Sequence, residues 1–162
     1  MIFRSLRSEF LKGDTCVVDK ELILRKLAEL DEYLEQIKEF QGIGLQEYAS
    51  DWKAQRIVER TLQIMIETCV DVAGHIIADK GFRIPNTYSD VFKVMGEEGI
   101  LEPGLLSNMM KMAKFRNIVV HQYDKIDAEI VIGILKRNLT DFVAFKQSIL
   151  NFLKNEAQNQ TL

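Results

Sequence analysis

Arg116, Asn117, His121 and Tyr123 place four polar or amphipathic side chains within eight residues, flanking the apolar Phe115, Ile118, Val119 and Ile126. Arginine carries a permanently charged fork shaped for carboxylate or phosphate. Histidine, with an unperturbed pKa near ~6.5, serves on either side of a proton transfer at neutral pH. An asparagine amide orients an imidazole or donates to an anion. From Leu105 to Tyr123 no acidic residue occurs, while Lys111, Lys114 and Arg116 fall inside the window. This is a local basic surface on a chain whose net charge is −3. The same residues also suit a solvated helix flank, and residue type alone leaves both readings open.

Other chemistries lack their residues. The chain has two histidines and two cysteines, with no C-x-x-C and no H-E-x-x-H, so a metal site built on nitrogen or sulfur is not expected. No phosphate-cradling glycine loop and no G-x-S-x-G elbow occur. No cofactor is expected. His75 lies mid-helix with Asp71 four residues before it and Asp79 four after, the spacing of an ordinary charge-assisted contact. Asp71 and Glu67 both remain candidates to face the Arg116 region.

The elements that must position these groups are helical. At 162 residues, 47% hydrophobic and 28% charged, the chain suits one soluble domain with a sizeable core. No unbroken apolar run approaches the roughly 18 residues of a membrane span, and no secretory signal is expected. With Cys16 and Cys69 read as reduced thiols, the expected setting is cytoplasmic, with no membrane partner.

Asp19 caps a first helix in which Ile23, Leu27, Leu30, Leu34 and Ile37 form one apolar stripe. Gln41-Gly42-Ile43-Gly44 ends it. Asp51 caps a second helix that stops at Lys80-Gly81. Pro85-Asn86-Thr87 opens a short third, a fourth runs from Pro103 or Leu105 towards Tyr123, and Asp127 caps the last. Strand-type alternation is absent. The expectation is an all-α, antiparallel bundle of four to five helices over residues 18–155. Residues 1–17 read as an arm or extension, and the polar end, 156–162, as a frayed tail.

Arg-x4-His-x-Tyr, from Arg116 to Tyr123 with Asn directly after the Arg, resembles the signature of the HEPN superfamily and, more narrowly, of the HepT toxins. The flanking Met112-Ala113-Lys114-Phe115 and Tyr123-Asp124-Lys125-Ile126-Asp127 agree. So do Val58-Glu59-Arg60-Thr61-Leu62-Gln63 and the Pro85/Tyr88/Val91-Phe92 stretch.

The resemblance covers roughly residues 18 to 155. It implies a metal-independent endoribonuclease toxin acting as a homodimer, with the motif lining a cleft between subunits. Arg116, Asn117 and His121 would be catalytic, while the acid-free basic window itself makes Lys111 and Lys114 the expected RNA contacts. The implied partner is a minimal nucleotidyltransferase antitoxin of the MntA type, which adds AMP to the tyrosine corresponding to Tyr123. The alternative is a non-catalytic HEPN module that binds nucleotide or RNA beside a nucleotidyltransferase. A third reading is a helical dimerisation subunit with ordinary surface residues.

RNA brings its own nucleophile, the 2′-OH, so Arg, Asn and His suffice without metal. Geometry adds a constraint. At about 100° per residue, Arg116 and His121 lie roughly 140° apart on one straight helix. Arg116 and Tyr123 share one flank; Asn117, His121 and Asp124 share the other. Either the helix ends near His121, or the arginine curls across, or a second subunit brings its own motif alongside.

Overall fold

The computed structural model describes residues 19–122 and 126–159. The expected arm 1–17, Cys16 and Tyr123 lie outside the described residues. Those described form an all-α bundle with no strand.

Helix α1, Lys20–Lys38, starts where the Asp19 carboxylate accepts the Leu22 N–H at 3.0 Å. Its stripe Ile23, Leu27, Leu30, Leu34 and Ile37 is buried throughout. Lys26, early in α1, reaches Asp71, late in the long helix Trp52–Lys80, at 3.3 Å, so these two helices run antiparallel.

Between them lies a short helix that the glycines around Ile43 do not announce, α2, Leu45–Ser50. Its anchor is Tyr48, 1% exposed, whose hydroxyl donates to Glu59 at 3.5 Å. Burial pushes the Glu59 carboxyl up, and Arg56 at 3.3 Å opposes that rise.

Helix α3, Trp52–Lys80, is capped by Asp51, which accepts the N–H groups of Lys53 and Ala54 at 2.9 and 3.1 Å. It ends at Gly81, whose φ of 65° is the left-handed conformation that favours glycine at a helix stop. By length and composition α3 could cross a membrane, but 61% of its most apolar stretch is buried as core. Cys69 is inside this core, where burial pushes its thiol well up.

Helix α4, Tyr88–Glu97, is capped by Thr87, and α5, Pro103–His121, has proline in its first turn. A methyl group at Gly96 would overlap Leu106, so glycine there lets α4 and α5 meet closely near their connection. Asp127 accepts the Glu129 N–H at 2.8 Å to start α6, Ala128–Gly133. A π-helical turn, Ile134–Asn138, then leads into α7, Leu139–Asn159.

Phe92 of α4 and Phe145 of α7 meet edge to face, with centroids 6.0 Å apart, at the centre of the core. Helix α7 continues to Asn159, further than its polar composition suggests. Lys80 holds that end by pairing with Glu156 and lying over the Phe152 ring.

Candidate active site

Helix α5 has two unlike sides. Met109, Met112, Ala113, Phe115 and Val119 are buried against the other helices. Ser107, Lys111, Lys114, Asn117 and His121 are exposed. These positions fall on one strip because their spacings of four, three, three and four follow the helical repeat. The basic window of the sequence is therefore a continuous outward face for Lys111 and Lys114. No ion pair among the described residues engages either lysine.

Arg116 takes the other direction. Its Nε and Nη2 both donate to Glu67 Oε1 of α3, at 2.8 and 2.5 Å. The pair is partly buried, with 14% of the arginine side chain and 25% of the glutamate exposed. Gln63, one turn earlier on α3, donates to the same oxygen at 3.1 Å. The guanidinium carbon lies 4.5 Å from the Tyr88 ring centroid, close enough for the cation to meet the ring. Burial pushes the Tyr88 hydroxyl up, while the charge of Arg116 pulls it down.

Tyr88 arrives there because α4 and α5 run antiparallel: Gly96 and Leu106 meet near the connection, and Tyr88 and Arg116 near the far ends. The arginine is held on two sides before any ligand binds. Its Nη1 makes only a long contact, 3.5 Å, to Asn117 Oδ1. Guanidinium has five donors, so an outer edge toward Asn117 remains for an incoming anion.

His121 is the last residue of α5, since Gln122 leaves the helical conformation at φ −135° and ψ 53°. The helix thus runs through His121, and the rotation of roughly 140° separating it from Arg116 persists. Among the described residues no hydrogen bond or ion pair joins the two. Asn117 lies between them on the helix surface. One chain brings Arg116, Asn117, Glu67 and Tyr88 together and leaves His121 exposed at the helix end.

Of the two carboxylates that the sequence left as candidates, Glu67 takes Arg116 and Asp71 takes Lys26. Asp71, one of the expected neighbours of His75, is thus engaged by α1. Nothing in the sequence marks Tyr88 for this role: it is 28 positions from Arg116 and comes near only through the α4–α5 packing. No group of three or more His, Cys, Asp or Glu with metal-binding geometry occurs among the described residues.

The family model described as Ribonuclease HepT-like matches residues 30–149. The chain is 30% identical over 125 residues to the mRNA nuclease HepT of Shewanella oneidensis, covering 77% of this chain and 93% of that protein. It is 28% identical over 136 residues to the tRNA nuclease HepT of Aphanizomenon flos-aquae, covering 84% and 92%. Among solved structures it is similar to the tri-AMPylated Shewanella oneidensis HEPN toxin in complex with MNT antitoxin. The TM-score is 0.76 at 29% identity, over 82% of this chain and 98% of that one. Together with the all-α architecture, these matches make the chain a member of the HepT-like ribonuclease family.

Proposed function

We propose that the protein is a metal-independent endoribonuclease toxin that cleaves RNA through the 2′-OH. The observation that carries this reading is the pre-set Arg116, fixed by Glu67 and Tyr88 with an edge directed toward Asn117, on the helix that ends in His121. Arg116 binds the phosphate and compensates the charge that develops on its oxygens. His121 moves a proton, and Asn117 orients the imidazole or donates to the phosphate. The 2′-oxygen forms a bond to phosphorus as the bond to the 5′-oxygen breaks. The 2′-OH proton goes to a base, and the 5′-oxygen receives one from an acid.

The site works as part of a homodimer. The angular separation of Arg116 and His121 supports this, because a second copy supplies an imidazole where one helix does not aim its own. The inferred partner is a minimal nucleotidyltransferase antitoxin, in line with the Shewanella oneidensis complex of HEPN toxin and MNT antitoxin. Tyr123 is the inferred acceptor of AMP. Modification there adds negative charge and bulk two residues from His121, which blocks the RNA path.

The test is incubation of purified protein with single-stranded and structured RNA in EDTA. Cleavage by the wild type that disappears in His121→Ala supports the reading. Intact RNA under all conditions, with retained binding of RNA or nucleotide, supports the non-catalytic module instead.

A further inference from the structure

A groove of about 260 Å³ runs between α5 and the π-helical turn. One wall carries Lys111, the other Arg137, and Phe115 and Ile134 form an apolar floor. No carboxylate is among its lining residues, and no ion pair among the described residues engages Lys111 or Arg137.

The local backbone builds this arrangement. The Arg137 guanidinium lies back over Gly133, where an added Cβ would stand 2.8 Å from Nη2. Glycine at 133 thus keeps the path open along which the arginine reaches the groove. Asp141, which is not among the groove's lining residues, is clasped by two amides: Asn108 of α5 donates to one oxygen at 3.2 Å and Asn138 of the π-turn to the other at 2.8 Å. That clasp fixes α5 against the π-turn and holds the groove in shape. Two cations facing each other across a preformed groove with an apolar floor select an anion carrying an apolar body.

From Lys111 the outward strip of α5 continues through Lys114 to His121, ten residues on, or about 15 Å along the axis. A few nucleotides of single strand cover that distance.

We propose that the groove between α5 and the π-helical turn is a second subsite for the RNA strand, where Lys111 and Arg137 hold a phosphodiester remote from the cleaved bond. This rests on the ribonuclease reading of the Arg116–His121 site, and it names the path by which the substrate reaches that site.

The test is fluorescence polarisation with a labelled single-stranded oligoribonucleotide bearing 2′-O-methyl groups, which binds without being cut, beside cleavage of its unmodified counterpart. The double variant Lys111→Ala/Arg137→Ala is expected to bind roughly tenfold more weakly. Its salt dependence should fall by a slope of about 0.7, the share of one neutralised phosphate on a single strand. Gly133→Ala keeps both charges but displaces the Arg137 tip, so it should weaken binding while its thermal stability is kept or raised. His121→Ala should bind as the wild type does and fail to cut.

Unchanged affinity and salt slope in the double variant, with normal wild-type cleavage, would overturn the subsite and leave the ribonuclease reading intact. Wild type that binds RNA through Lys111 and Arg137 but never cuts it would support the groove and overturn the ribonuclease reading. Loss of nucleotidyltransferase capture with RNA affinity untouched would assign the groove to a protein and overturn the proposal.

Discussion

Arg116 donates twice to a single oxygen of Glu67, from Nε at 2.8 Å and from Nη2 at 2.5 Å. The pair joins α5 to α3, and it determines which edge of the guanidinium stays available to substrate. A charge-assisted pair of this kind both stabilises the bundle and aims the phosphate-binding group.

Removing the acid separates those two effects. Glu67→Ala should lower unfolding stability in urea by about 1–3 kcal/mol, since it leaves a partly buried cation without its partner. Glu67→Gln keeps an acceptor and should cost less. Both should depress kcat more than they raise KM, because the arginine remains but its aim is lost. Unchanged kcat in both variants would contradict the positioning role.

His121 is exposed at the end of α5, so His121→Ala should shift stability by less than about 0.5 kcal/mol. Cleavage should fall by roughly 10²- to 10⁴-fold, the usual weight of a positioned acid–base group. Circular dichroism melts beside rate measurements check both halves. Full activity in the variant would remove histidine from the chemistry.

The rotation between Arg116 and His121 makes a prediction about mixtures. If each site takes Arg116 from one copy and His121 from the other, Arg116→Ala and His121→Ala should each be inactive alone. Dissociated and reassociated together, they should recover roughly a quarter of wild-type activity, because half the dimers are mixed and half their sites intact. Native mass spectrometry verifies the mixed dimers. Their presence without recovered cleavage would contradict a shared site.

Arg83 ties α4 down by bonding Asp90 at 2.7 and 3.0 Å and Glu97 at 2.6 and 3.0 Å. The Arg83 hydrogen bonds hold the Asp90 carboxyl at about 2, against an ordinary 3.8, and the Asn86 N–H adds to the effect. A carboxyl whose folded pKa is depressed stabilises the protein above its unfolded value and loses that contribution as pH falls through the folded one. Urea midpoints of the wild type and Asp90→Asn should therefore differ at neutral pH and converge as pH drops from about 3.8 to about 2. A constant difference over that range would contradict the assignment.

Much of this architecture is legible in the residues, and the illegible part has a common cause. The α1 stripe follows from spacing, and Asp19, Asp51, Asp127 and Gly81 mark helix limits by local hydrogen-bond chemistry that needs no tertiary context. Helix α2 escapes that reading because Tyr48 is held by Glu59 in the next helix rather than by a local pattern. The π-turn after Gly133 leaves the apolar periodicity around it nearly intact, so composition does not reveal it. In the candidate site, Arg116, Asn117 and His121 are visible as a string. Tyr88 is not, because its approach to Arg116 depends on how closely Gly96 lets α4 and α5 pack. Glu67 and Asp71 differ only through their tertiary partners, Arg116 of α5 for the first and Lys26 of α1 for the second.

The most direct test is the chemical identity of the ends left by cleavage in EDTA, read by mass spectrometry of a defined RNA. Attack by the 2′-oxygen predicts a 2′,3′-cyclic phosphate, or its hydrolysed monophosphate, on one fragment and a 5′-hydroxyl on the other, with no cut where the 2′-oxygen is methylated. Fragments ending in 3′-hydroxyl and 5′-phosphate, or cleavage that EDTA abolishes, would contradict it.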